Sequence, residues 1–256
     1  MTATTSLGFV HACEQNHLQL CLIGGGAVTQ LDSGKVVTCP LDPVFVFNYV
    51  FGVRRAFDLE GARRAFLAAG RPYVHVLASP SSGSDLSGQL GALGMRVVER
   101  QAYRRVTGTG EGAPGLLQVS LDAIDELLQL WWAAWAGERA GKRAEVFRLR
   151  LADSRSRAFR SADGNGVFLL FDAGPTTQLI HLGVAAAAQG RGIGRRMLEL
   201  APDLVPAGRP LWLFTKLGGA GDRTATAAGW ELAHTADDWM LDLDPGDADT
   251  GNAATD

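Results

Sequence analysis

Between Val184 and Leu198 the chain reads VAAAAQGRGIGRRML, with Gly190, Gly192 and Gly194 at alternate positions where an apolar run gives way to a helix-forming one. Residues without a Cβ let the backbone turn freely and let a ligand come close to its amides. A helix opening directly afterwards adds unsatisfied N–H groups and the positive end of its dipole. Together these features suit a phosphate-rich ligand, with Arg191 and Arg195 as further cations. Two better-known phosphate loops do not fit. A dinucleotide fingerprint has a third glycine where this chain has Arg195, and it belongs to an early strand–helix–strand unit. A P-loop requires Gly-Lys-Ser/Thr, which the chain lacks.

Chemistry on such a ligand calls for a group that titrates near neutrality. His181, three residues before Val184 on the strand that leads into the loop, is the histidine placed for it, although a lone strand histidine also serves packing. Trp131, Trp132 and Trp135 lie in one amphipathic stretch. At i and i+4, Trp131 and Trp135 share a face while Trp132 points elsewhere, so the pair reads as core or as an aromatic wall for a substrate. Histidines and acidic residues show no ligand spacing, so no metal is expected. Cys13, Cys21 and Cys39 are odd in number and without metal spacing, and read as thiols in a reducing compartment.

These residues need a scaffold, and 256 residues are enough for one large domain or two small ones. A net charge of −3 provides no overall basic field for nucleic acid. The first nine residues lack the pattern of a signal peptide, and no apolar run nears the ~20 residues a membrane span requires, so a cytoplasmic protein with no membrane partner is expected. Residues 108–115, rich in glycine with one proline, read as a linker. Before it, residues 1–107 alternate helix and strand patterns: helices over 7–18, 58–69 and 86–93, and strands over 44–53, 73–78 and 95–106. After it, 116–119 is strand-like and 121–136 and 139–151 are helical, the latter an arginine-rich and largely solvated helix. Strands follow at 167–172 and 177–184, then a helix from Gly192, a strand at 211–215, a short helix at 223–228 and a last strand over 231–243. Residues 244–256 are small and polar and read as a loose tail.

QGRGIG at 189–194 resembles the Q/R-x-x-G-x-G/A motif of the GCN5-related N-acetyltransferase superfamily, and its setting between strand and helix resembles that family too. The resemblance covers residues 116–243. It implies an α/β fold with a mixed central sheet, and a degenerate half of the same type in residues 1–107, where QGRGIG has no counterpart. It implies an acyl-CoA co-substrate, most simply acetyl-CoA, held by Gln189, Gly190, Arg191, Gly192, Gly194 and Arg195, with Leu182 and Val184 as strand contacts. It further implies acyl transfer to a small-molecule or peptide amine. The chain departs from the family in two places. Ala225 stands where many members carry a tyrosine acid, four residues before Gly229-Trp230, and Gln178 stands where some carry a glutamate base. These departures leave two alternatives open: the same fold with an aminoacyl-tRNA donor, or a non-catalytic CoA-binding relative.

Overall fold

The computed structural model of the chain describes residues 3–42, 45–134 and 140–243. The first helix, α1 (Ala3–Ile23), buries Val10, Cys13, Leu20 and Cys21 together with the polar Glu14, Asn16 and His17. It is therefore a core helix rather than an amphipathic surface one. Its polar groups are satisfied by distant elements: Asn16 Nδ2 donates to the carbonyls of Ala173 (3.1 Å) and Thr176 (3.0 Å), and Glu14 accepts from the hydroxyls of Ser79 and Ser81.

A short hairpin follows, β1 (Ala27–Gln30) and β2 (Lys35–Thr38), which the hydrophobic pattern had not disclosed. The strand expected over 44–53 is shorter, β3 (Tyr49–Phe51), because Phe45–Phe47 curl into a 3-10 turn. The Asn48 side chain then accepts from Cys39 N–H and donates to the Asp42 carbonyl, which turns the chain away from extension. Helix α2 (Leu59–Ala68) is capped by Asp58, whose carboxylate accepts the Gly61 N–H at 2.8 Å. Strand β4 (Tyr73–Ala78), helix α3 (Leu86–Ala92) and strand β5 (Arg96–Thr107) complete the first half.

The second half runs β6 (Leu116–Gln118), α4 (Ile124–Ala134), α5 (Ala140–Ala152), β7 (Ser156–Ser161), β8 (Gly166–Ala173), β9 (Thr176–Val184), α6 (Ile193–Leu200), β10 (Pro210–Lys216), α7 (Ala220–Ala227) and β11 (Glu231–Asp242). All eleven strands among the described residues form one mixed sheet, in the order β1-β2-β3-β4-β11-β5-β10-β9-β8-β7-β6. The two halves interlock. The last strand, β11, lies antiparallel between β4 and β5, and β5 lies antiparallel between β11 and β10. Residues 108–115 run pinned along the turn before β10, with Gly108 N–H bonded to Arg209 O, Thr109 N–H to Pro202 O and Gly112 N–H to Asp203 O.

Alternation along the central strands sorts two cores. Val167, Leu169 and Phe171 face α1, α4 and α5, while Phe168 and Leu170 face Met197 and Leu198 of α6 and Ala225 of α7. A third cluster packs α2 and α3 onto β2, β3 and β4 through Val36, Val50, Phe66, Val76 and Leu90.

Candidate functional site

The sheet has an opening at its centre. Strands β9 and β10 are parallel and pair only at Thr177–Leu211 and Gln178–Trp212. Beyond Gln178, β9 continues to Val184 against β8 alone, and β10 continues to Lys216 against β5 alone. Backbone groups on the facing edges past that point have no neighbouring strand to pair with, and an extended ligand arm with amide groups of its own satisfies such edges well.

The loop identified in the sequence lies at the far end of β9. Residues 186–188 form a 3-10 turn, and Gln189 folds back to donate from Nε2 to Val184 O at 3.1 Å. Gly190 and Gly192 take positive φ of 77° and 81°, a conformation that favours glycine, and a Cβ at either would meet nothing within 4 Å. Gly192 is the N-cap of α6, and Arg196 N–H bonds its carbonyl. The amides of Ile193, Gly194 and Arg195 thus open the helix without an intrahelical acceptor. Gly194 differs from the other two: it is helical, and a Cβ there would rest at ordinary contact distance on Val184 Cγ2 (3.5 Å) and Thr224 Cγ2 (3.9 Å). The two expected cations also separate. Arg191 is exposed and forms no ion pair among the described residues, whereas Arg195 is bound at 2.8 Å to Glu199, one turn along α6. Its guanidinium, joined by that of Arg196, holds the Glu199 carboxyl below the usual range.

His181 occupies an unusual backbone position. Ile180 pairs with Leu169 and Gly183 with Val167, so the register shifts and His181 and Leu182 bulge opposite the single residue Phe168. The bulge sets His181 at φ 56°, the only positive φ outside glycine among the described residues. Its half-buried ring packs edge-on against Phe147 of α5 (4.3 Å between centroids) and tilts over Phe47 (6.0 Å). The bulge therefore brings a histidine to the mouth of the opening. Leu182 and Val184, the expected strand contacts, are partly buried along the same edge.

Gln178 is engaged with a histidine that sequence reasoning had missed. His17 of α1 donates from Nε2 to Val46 O at 2.9 Å, which leaves Nδ1 to accept from Gln178 Nε2 at 3.1 Å. Burial holds the His17 ring neutral, with its pKa pushed down to about 4, so it is a structural group and not a base. Beside it, a cavity of about 20 Å³ lined in part by Tyr49, His75, Gln101 and Phe214 has room for little more than one water.

On the leaving-group side, α7 offers no acid. Ala225 is fully buried, and the hydroxyls of Thr224 and Thr226 donate to the carbonyls of Ala220 and Asp222 four residues back. Asp222 instead ties the 217–219 turn to the sheet, accepting from Gly218 N–H (2.9 Å) and Arg104 Nε (2.7 Å). Burial raises its pKa, but these bonds outweigh it and leave the carboxyl below the usual range. Asp238, in the last strand, is buried and accepts from Gln101 Nε2 (2.7 Å), with His75 Nε2 at 2.8 Å, while Asp237 pairs with Arg100 at the surface.

Two expectations on the acceptor side fare differently. Trp135 lies outside the described residues, as does the tail 244–256, and Trp131 is placed only by its backbone in α4, which packs on β8 and β9. The arginine-rich helix α5 is not uniformly solvated. Arg148 is exposed and pairs with Asp125, whereas Arg150 is completely buried. Among the described residues no cluster of three metal-ligating side chains occurs, and no helix is long and apolar enough to cross a membrane.

No protein-family model matches the sequence, and no curated protein does. Solved structures do. A GCN5-related N-acetyltransferase from Kribbella flavida superposes with a TM-score of 0.64 at 17% identity, over 94% of this chain and 96% of its own. A functionally unknown conserved protein from Staphylococcus epidermidis gives 0.63 at 13% identity, over 86% and 95%. A tandem GNAT protein from the clavulanic acid biosynthesis pathway gives 0.50 at 15% identity, over 86% and 79%. At these identities the likeness concerns architecture: the chain has the mixed-sheet fold of the GCN5-related N-acetyltransferases.

Proposed function

We propose that this chain is an N-acyltransferase that moves an acyl group, most simply acetyl, from acyl-CoA to a small-molecule or peptide amine and forms an amide. The observation that carries this reading is the opening between β9 and β10, with the QGRGIG turn and the start of α6 at its far end. The residues there suit the co-substrate. Two glycines at positive φ keep the loop clear of side chains, the amides of residues 193–195 point out of the helix start, and Arg191 is exposed and without an ion pair among the described residues. Arg195, held by Glu199, contributes less than the sequence implied. When bound, acyl-CoA supplies a thioester carbonyl as electrophile.

In this reading the loop amides, Gln189 and Arg191 hold the pyrophosphate, and the free edge of β9 through Leu182 and Val184 holds the pantetheine arm. Amides on the β10-facing edge of β9 stabilise the oxygen of the tetrahedral intermediate. His181 takes the proton of the attacking amine. Helix α7 gives no proton, so the thiolate is protonated from solvent. The unpaired buried thiols Cys13, Cys21 and Cys39 suit a reducing, cytoplasmic setting.

An aminoacyl-tRNA donor draws less support. Of the arginines that would form its phosphate track, Arg150 is buried, Arg148 pairs with Asp125, Arg155 with Asp153 and Arg157 with Asp172. Calorimetry with acetyl-CoA, followed by thiol release against a panel of amines, tests the proposal. Saturable binding and amine-dependent release are expected. No binding at millimolar acetyl-CoA, or a salt-sensitive gel shift with tRNA in its place, would refute it.

A further inference from the structure

The geometry points to an acceptor amine that carries a carboxylate, with Arg150 as the group that holds it; this deepens the acyl-transfer reading and rests on it. Arg150 lies on α5 one turn beyond Phe147, and its side chain has no solvent exposure. A guanidinium carries five N–H donors in a planar fork, and burying them without acceptors is costly. Here Nη1 donates to Asp42 Oδ2 at 3.0 Å, while Nε and Nη2 have no acceptor among the described residues. Buried donors left over in this way are rare in native proteins and call for an explanation.

Their position supplies one. The Arg150 guanidinium stacks 3.9 Å from the centre of the Phe47 ring, which itself lies 6.0 Å from the ring of His181. The unused donors thus stand within two ring contacts of the bulge where the amine is deprotonated. Two further observations define the ligand. Nε and Nη2 of one guanidinium form the edge that binds a carboxylate with two parallel hydrogen bonds. Charge agrees: Arg71 bonds the same segment through the Cys39, Pro40 and Asp42 backbone carbonyls, so a second cation lies close to the Arg150–Asp42 pair and an anionic group is favoured there. An amine and a carboxylate on one short backbone, as in an amino acid or a dipeptide, make the simplest acceptor with this chemistry.

The experiment compares amino acids and dipeptides with their own C-terminal carboxamides as acceptors for acetyl-CoA. In parallel, calorimetry measures binding of N-acetyl amino acids and their amides to the protein with CoA present. Acids are expected to exceed amides at least tenfold in kcat/KM and in affinity. Arg150→Lys keeps a cation beside Asp42 but removes the fork, so it should raise KM for acids, leave amides unchanged and bring the ratio near one. Amides equal to acids, a ratio kept in Arg150→Lys, or neither series used or bound by protein that binds acetyl-CoA overturns the inference. If Arg150→Lys does not fold, the acid-to-amide ratio of the unaltered protein decides alone. Absence of acetyl-CoA binding refutes the acyl-transfer reading instead, and the N-acetyl amino acid titration then still reports on Arg150.

Discussion

The three loop glycines look alike in the sequence, and the structure separates them into two that must be glycine and one that need not be. Gly192 has φ 81° with open space around a would-be Cβ, so Gly192→Ala meets no clash and suffers only the cost of a left-handed L-residue, ~1–2 kcal/mol. That cost appears in one of two places. If the loop keeps its shape without ligand, it lowers stability; if the loop relaxes to negative φ, restoring it on binding weakens acetyl-CoA by about 5- to 30-fold. Gly194 sits in the first turn of α6, where a Cβ makes ordinary contacts with Val184 and Thr224, so Gly194→Ala should gain about 0.5–1 kcal/mol of helix stability. Its affinity should stay near that of the unaltered protein. Thermal melts and calorimetry on both variants separate the outcomes. The reasoning is refuted if Gly192→Ala changes neither stability nor affinity, or if Gly194→Ala binds more weakly than Gly192→Ala.

Because His181 sits at positive φ, which Asn and Gly tolerate, His181→Asn and His181→Gly keep the bulge while removing the base. Both should lose ~10²–10⁴-fold in kcat/KM with acetyl-CoA affinity kept, and near-full activity in His181→Asn would reduce the histidine to a backbone role. His17 and His234 are held neutral by burial, with pKa values near 4. Both lie below the ordinary value of a histidine, so their stabilising contribution is complete above about pH 6.5 and is lost as the pH falls towards 4, up to ~3 kcal/mol each. Urea melts at pH 7.5 and 5 should show this fall, and His17→Gln should flatten it; an unchanged slope would mean that the ring is not held neutral. The His75–Asp238 pair joins β4 to β11 with both side chains 2% exposed. Asp238→Asn weakens a buried acceptor shared by His75 and Gln101, so it should cost ~1–3 kcal/mol and lower Tm by roughly 2–12 °C, and an unchanged Tm would show that these bonds do not hold β4 to β11.

Much of the strand–loop–helix unit proposed to hold the donor was legible because it is local. Strand, glycine turn and helix start follow one another within 184–198, and period-2 and 3.6-residue patterns placed β8, β9, α6 and β11 near their observed ends. Three things were not legible. The His181 bulge leaves no mark, since left-handed backbone outside glycine is set by the surrounding sheet and not by the residue. The pairing of β11 with β4 joins residues more than 150 positions apart, which local patterns do not encode. The hairpin β1–β2 and strand β7 are short, and β7 carries two arginines among six residues, so neither stood out as a strand. Arg150 is different, because a signal was present. It lies three and four residues after Phe147 and Val146, both buried, and so on the apolar face of α5. Counting arginines obscured that spacing.

The interlocked strands also explain what a half without its own donor loop does in this molecule. A gap between two parallel strands tends to close or fray unless each is held elsewhere. Here β9 is held by β8 from Thr176 to Val184, interrupted only by the bulge, and β10 is held by β5 from Pro210 to Lys216. The outer support of one wall thus belongs to the second half and that of the other to the first. The same strand β5 supplies Arg104, which fixes Asp222 and the turn before α7, while α1 caps the β8–β9 turn through Asn16 and fills the space beside Gln178 with His17. Arg71, just before β4, bonds the segment that positions Asp42 beside Arg150. Residues 1–107 therefore support one wall of the opening from outside and, through Asp42 and Phe47, line the surroundings of Arg150. On this geometry the second half does not form the proposed site alone, although it carries every residue of the glycine-rich loop.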